Sequence, residues 1–329
     1  MPTARAENLY FYKQDPEKDS GGADVWYGRS QNLLVAYSKV HPGNALEIAN
    51  SENEYFIILV EGSIDITSEN GSASGVTAPA QVIVPPGKSS ITATSEGVLT
   101  RVFAPAPPEL AKKAVNYSSY DEPHPNVGPL ELWPEPKDGY KLRVYQFDKM
   151  PADSKKIFRS RNIMINWGAN YGGPRDIKRL SPHKHDDFEQ VSLCIKGKYT
   201  HHIRYPWESD STTWIEDDHF VLDTPSITIM PPPALHTSVA MGEANSLIDI
   251  FGPPRMDFSL GGMVNADNAD EYPMPESSGE TMRSGENCQI EGVWRSTCDD
   301  AREANVLKGD LFPSCPSHGT VNWELVRSA

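Results

Sequence analysis

Six of the nine histidines in this chain fall between 183 and 236, at His183, His185, His201, His202, His219 and His236. Neutral imidazole is a common ligand of divalent metals, so such clustering raises the question of what these rings hold together. In the segment SPHKHDDFEQ, His183 and His185 are two residues apart, which on an extended strand puts both on one side. Glu189 comes four residues later, past an Asp-Asp turn, at the head of the next apolar run, and His236 follows a strand that ends in three prolines. Three imidazoles and a carboxylate form a borderline donor set that suits Fe(II), Mn(II), Ni(II) or Zn(II) and leaves one or two positions open. The expected metal ligands are therefore His183, His185, Glu189 and His236.

The elements that must position them are strands. Twenty-eight prolines and 24 glycines cut the chain into short segments rich in Val, Ile, Thr, Tyr and Phe. Helical periodicity is scarce, ELAKKAVNY at 109–117 being one of the few instances. Two blocks repeat one another. Glu54 opens a run that turns at Gly62, and Glu189 opens one that turns at Gly197, each pair eight residues apart. Downstream, VIVPPGKSS at 82–90 matches ITIMPPPALH at 227–236. The expected organisation is an N-terminal arm at 1–24, a first barrel at 25–106, a connector at 107–140, a second barrel at 141–256 and an irregular extension at 257–329.

The order HxHxxxE, a glycine turn, then a Pro-rich strand ending in His closely resembles the two motifs of the cupin superfamily. That resemblance implies an all-β fold of two tandem jelly-roll barrels and assigns the metal to the same four residues, His183, His185, Glu189 and His236. Two positions depart from the usual pattern, with Ile177 and a proline where glycines are common. Shifting the second motif by the Glu54-to-Glu189 offset puts Ile48 and Asn50 where the first two histidines stand, and Ser90 takes the place of His236. The first barrel is therefore expected to be metal-free, with Glu54 alone surviving.

If Glu189, Val191 and Leu193 face inward, so should Tyr199, His201 and Ile203 on the next strand, while Gln190 points away. His201 is then an acid–base candidate. Arg204 and Tyr205, just past the hairpin, join it as catalytic candidates, and Arg159, Arg161, Arg175 or Arg204 could grip a carboxylate. His202 and His219 read as structural. Trp207 and Trp214 flank an acidic insert absent from the first block. Cys288, Cys298, Cys315 and His318 offer the donors of a zinc site, but the cysteine spacings fit no recognised zinc module and ordinary buried or surface cysteines are the expectation.

A formal charge of -15 argues against nucleic acid and anionic lipid as partners. No apolar run approaches the roughly 18 residues of a membrane span, and the N-terminus has no apolar signal core, so a cytoplasmic location is expected. The resemblance implies a small-molecule substrate and favours an Fe(II) dioxygenase that uses O2 to cleave a carbon–carbon bond of a phenolic or diketone chelate. An oxygen-independent isomerase, lyase or decarboxylase is the alternative, and a non-catalytic binding protein the third. A homo-oligomer, as a dimer, is also expected from the family.

Overall fold

The computed structural model describes residues 4–329 apart from 125, 186–187, 256–257, 260–264, 276–280, 299–300, 316 and 329. Strands dominate, as expected. In the first half, Tyr55–Glu61 lies between Ala80–Val84 and Gly97–Phe103 in a seven-stranded sheet, backed by a four-stranded sheet containing Ser63–Ser68 and Gly87–Ala93. The second half repeats this plan. Glu189–Lys196 lies between Ser226–Met230 and Asn245–Gly252 in a six-stranded sheet, backed by Asp218–Leu222, Tyr199–Arg204 and Leu235–Ala240. Each half is thus a two-sheet barrel of the jelly-roll kind.

The two barrels exchange edge strands. Glu7–Leu9, from the arm, pairs with Ser226–Met230 of the second barrel. Arg143–Gln146, placed by sequence in the second barrel, pairs with Ala80–Val84 of the first. Each swap covers an edge that would otherwise expose unpaired amides, and the expected borders at 24 and 141 do not separate the sheets.

Between the barrels lies a continuous apolar core in which Phe56, Ile58 and Val102 of the first meet Phe158, Val191 and Leu193 of the second. Alternate residues on the same strands, Tyr55, Ile57 and Leu59, fill the interior of the first barrel with Val82 and Val84. Glu54 and Glu189 therefore both lie on the inter-barrel face. Glu189 accepts hydrogen bonds from Ser30 Oγ (3.0 Å), the Gln31 amide (3.0 Å) and the Asn32 amide (2.8 Å) of the first barrel. Glu54 faces the corresponding turn, Ser160–Ile163, with the Arg161 backbone at its carboxylate. Its Oε1 accepts from Tyr272 Oη at 2.8 Å and lies 3.7 Å from Arg143. Both turns close in the same way, the Ser30 and Ser160 amides donating to Leu33 and Ile163 carbonyls at 2.9 Å.

Burial pushes the Glu54 carboxyl up to about 7, against the pull of Tyr272 and Arg143. An unfolded Glu releases its proton near 4.5. Between these values the folded state holds a proton that the unfolded state has lost, so stability falls as pH rises from about 4.5 to about 7 and stays at the lower level above. Glu54→Gln removes this titration. Its melting temperature should gain on wild type across that interval by on the order of 5 °C and run parallel above it, as thermal melts on a pH series will show.

The C-terminal extension departs from expectation. Residues 265–275 bind both barrels, Tyr272 entering the inter-barrel core and Glu271 taking Arg143 Nε at 2.7 Å. Beyond them is a four-stranded antiparallel sheet in the order Thr281–Arg283, Asn322–Ser328, Gly292–Ser296 and Glu303–Val306. It has its own core of Trp294, Phe312, Trp323 and Leu325. The Gly, Ser and acid content of the segment hid an apolar set spaced too widely to read as strands. Among the described residues no helix is long and apolar enough to cross a membrane.

Candidate metal centre

Three histidines converge at one end of the second barrel. His236 starts the inward face of Leu235–Ala240, and His183 forms an isolated β-bridge to it, amide to carbonyl in both directions at 3.0 and 2.8 Å. Ring centroids are 4.6 Å apart for His183 and His236, 4.9 Å for His185 and His236, and 6.2 Å for His183 and His185. Arg175 holds the loop that carries His183, donating to the Ser238 carbonyl (2.9 Å) and to Ser181 Oγ (3.0 Å).

The backbone fixes the tautomers. Nδ1 of His183 meets the Ser181 carbonyl at 2.9 Å, Nδ1 of His185 the Phe188 carbonyl at 3.0 Å, and Nδ1 of His236 the Ala234 carbonyl at 2.9 Å. A carbonyl only accepts, so each Nδ1 carries a proton, and the neutral form of each ring keeps its lone pair at Nε2. Anchoring Nδ1 and freeing Nε2 is how ligating histidines are usually held.

Glu189 does not join them. Its carboxylate points into the barrel interface, and the residue on the histidine side is Gln190, whose Oε1 lies 3.0 Å from His185 Nε2 and 3.3 Å from His236 Nε2. The Gln190 amide nitrogen donates to Ser192 Oγ (3.0 Å) and Asp249 Oδ1 (3.1 Å), and Ser192 donates to the same carboxylate at 2.6 Å. Because a carboxylate only accepts, this network turns the carbonyl oxygen toward the histidines. The strand alternates as expected but in the opposite phase. Val191 and Leu193 looked like barrel filling but bury against the other barrel, while Gln190, Ser192 and Cys194 face inward.

The electrostatics favour neutral rings. Burial lowers His185 well below the usual range, with His236 and Arg255 adding repulsion, and it lowers His236 to about 4. Nε2 lone pairs of two neutral imidazoles therefore face the lone pairs of Gln190 Oε1 with no proton to share. Acceptors gathered in this way repel one another unless a cation lies among them, so the donor set fits a divalent metal. Asp249, behind Gln190, is pushed up by burial.

His201 faces inward as expected, opposite Ser238 on the strand carrying His236. It is fully buried, its Nδ1 lies 2.7 Å from Ser238 Oγ, and its Nε2 has no hydrogen-bond partner among the described residues. Burial lowers it to about 3, with His236 and His202 adding repulsion, which makes it a poor base but a ready neutral donor.

Arg204 and Tyr205 lie elsewhere. Arg204 is exposed and pairs with Asp217 at 2.7 Å on the outer surface. Tyr205 accepts from the Ala6 amide at 2.8 Å and donates to Asp218 at 2.7 Å, anchoring the N-terminal arm. Arg159 donates to the Ala269 and Tyr272 carbonyls, and Arg161 to Trp133 and Tyr140, so both are structural. His202 and His219 pair on the outside at 2.8 Å. Trp207 and Trp214 stack on each other at 4.5 Å, outside the barrel.

Arg255 is the arginine that sequence reasoning missed. Its guanidinium sits 3.8 Å over Phe258 and 5.0 Å from Phe251, and its charge bears on His185, His236 and Asp249. Only its place three residues past the last barrel strand, Asn245–Gly252, signalled it.

In the first barrel other side chains hold the equivalent places. Ile48 pairs with Ser89 where His183 bridges His236, so Ser89, not Ser90, is the inward counterpart of His236. Tyr55 fills the place of Gln190 and bonds Ser89 Oγ at 2.9 Å.

Comparison with solved structures places this architecture. The chain is similar to the oxalate decarboxylase of Lactobacillus farciminis in its formate complex, with TM-score 0.53 and 14% identity over 83% of this chain and 98% of that one. It is also similar to a mutant of the Bacillus subtilis oxalate decarboxylase OxdC, with TM-score 0.50 and 15% identity over 81% of this chain and 86% of that one. At these identities the likeness is one of fold, two tandem jelly-roll barrels. No family model and no curated protein matches the chain.

Proposed function

We propose that the second barrel holds a divalent metal through His183, His185 and His236 with Gln190 Oε1 as a fourth donor, and that the chain is an enzyme acting on a small chelating anion there. The observation that carries this reading is the convergence of the His185 and His236 Nε2 lone pairs on the inward-turned amide oxygen of Gln190. All four donors are neutral, unlike the set expected with Glu189. A divalent ion among them keeps its full charge, which favours substrates that bring negative charge of their own, such as a catecholate, an enolate or a carboxylate.

A bound Fe(II) supplies a one-electron couple with open positions for substrate and O2, and any of Fe(II), Mn(II), Ni(II) or Zn(II) supplies Lewis acidity. The protein supplies the rest. His201 Nε2 offers a neutral hydrogen bond inside the barrel, suited to steadying an anionic oxygen, not to removing a proton. Arg255, held over its three phenylalanines, adds positive charge beside the histidines. Hydrogen bonds to Ser192 and Asp249 keep the Gln190 amide aimed.

An Fe(II) dioxygenase is the leading reading, because a neutral donor set makes O2 chemistry wait for an anionic chelating substrate. Decarboxylation of a small dicarboxylate is the second, favoured by the fold shared with oxalate decarboxylases. One experiment separates them: the metal-loaded protein is given catechols, hydroquinone, gentisate-like acids and β-diketones in an oxygen electrode, and oxalate and related acids under argon with CO2 detection. Oxygen uptake that requires Fe(II) supports the first, and anaerobic CO2 release with Mn(II) the second. Silence in both arms from protein with stoichiometric metal overturns the enzyme reading.

A further inference from the structure

We propose that Cys298, Cys315 and His318 form a second metal site, distinct from the barrel centre, which takes Zn(II) and fastens the C-terminal sheet. The three donors come from two stretches 17 residues apart in the chain. Cys298 lies two residues past Gly292–Ser296, and Cys315 and His318 precede Asn322–Ser328, the strand paired with it through Ser296 and Trp323. The Thr297 amide still donates to the Asn322 carbonyl at 2.9 Å, so the donors sit where these two strands diverge.

Their spacing suits a tetrahedral ion. Cys298 Sγ is 3.4 Å from Cys315 Sγ, which is 3.5 Å from His318 Nδ1, and the three ligand atoms lie within 4.8 Å of one another. Tetrahedral zinc with ordinary bond lengths separates two sulfurs by about 3.8 Å and a sulfur from a nitrogen by about 3.5 Å. A tight turn presents the second pair. The Cys315 and Gly319 amides each donate to the other's carbonyl at 2.7 Å, and Gly319 takes a φ of +68°, which favours glycine. Two thiolates and an imidazole neutralise Zn(II) and are soft enough to prefer it to Fe(II) or Mn(II).

The sheet has use for such a tie. Its core is small, built on Trp294, Phe312, Trp323 and Leu325 with Val306 and Cys288, and modules of this size commonly depend on a metal or a disulfide. Cys288 is not part of the cluster, since its thiol points to the Ile290 carbonyl at 2.9 Å. Spacing alone did not reveal the site because its donors come from both sides of a strand pair.

The full chain, stripped of metal and reloaded with Co(II), tests this. Wild type should show a thiolate-to-cobalt charge-transfer band in the near ultraviolet together with intensified tetrahedral d–d bands. The band should persist in His236→Ala, vanish in Cys298→Ser/Cys315→Ser and weaken in His318→Asn, whose exposed side chain leaves the fold unburdened. Zinc analysis should find one equivalent lost in the double cysteine variant. A wild-type spectrum without the thiolate band, or a band that survives the double substitution, overturns the site. So does protein isolated with one zinc fewer and Cys298 joined to Cys315 as a disulfide.

Discussion

Replacing Glu189 by Ala should leave the metal content of the barrel centre unchanged and lower the melting temperature by on the order of 10 °C. Glu189 is 1% exposed and serves three donors from the turn of the opposite barrel. Removing it strands the Ser30 hydroxyl and two backbone amides at a buried interface, at a cost of about 3–5 kcal/mol. That is a large share of the 5–15 kcal/mol that holds a typical protein folded. Glu189→Gln should cost less, because one oxygen still accepts while its amide faces donors. Metal analysis and thermal melts on both variants decide the matter. If Glu189→Gln loses barrel metal while remaining as stable as wild type, the carboxylate is a ligand after all and the inter-barrel assignment is wrong.

The same reasoning explains why Glu54 persists in a barrel with no histidine ligands. The two glutamates are related by the internal repeat, and each reaches the serine turn of the other half. That turn is itself repeated, as Arg29-Ser30-Gln31-Asn32 and Arg159-Ser160-Arg161-Asn162. A carboxylate present in both barrels beside a matching turn in both is a docking feature. The histidines, present once, are the chemical one.

Much of this was legible beforehand. Strand alternation put His201 and Ile203 on one face, and the motif spacing brought His183, His185 and His236 to one end of one barrel. What sequence could not supply was phase. Both faces of Glu189–Lys196 are buried, one against the other barrel and one around the centre, so hydrophobicity does not tell inside from outside. The more apolar face is not the interior: Val191 and Leu193 bury against the other barrel, and Gln190 and Ser192 line the side facing the histidines. Arg204 and Tyr205 were misplaced for a related reason. Arg204 ends a strand whose inward face stops at Ile203 and Tyr205 follows it, and from there the chain turns to the surface and to the N-terminal arm, a long-range contact that spacing does not encode. The C-terminal sheet escaped notice because its buried aromatics are separated by long polar stretches.

His236→Ala should abolish both metal binding at the barrel centre and turnover, with activity falling by a factor of about 100 or more. The ring is 2% exposed and touches every other member of the site: it bridges His183 through the backbone, packs against His185 and faces Gln190. Alanine deletes one Nε2 and opens the cluster to water. Gln190 makes the sharper test of the donor set. Gln190→Ala should weaken metal affinity by roughly 10–100-fold while the fold survives, since the side chain serves the interior and not the barrel interface. Gln190→Glu places a charge beside three neutral imidazoles and so should tighten the metal, but it also sets that carboxylate against Asp249, 3.1 Å from the present amide nitrogen. Repulsion there raises the carboxyl pKa values, so the tighter binding should appear only as pH rises and one shared proton is lost. Metal affinity measured across pH for Gln190→Glu, alone and with Asp249→Asn, separates the two effects. With Asp249 neutralised, the gain in affinity should extend to lower pH. An affinity that ignores every change at Gln190 removes its carbonyl from the ligand set and leaves three histidines to hold the metal.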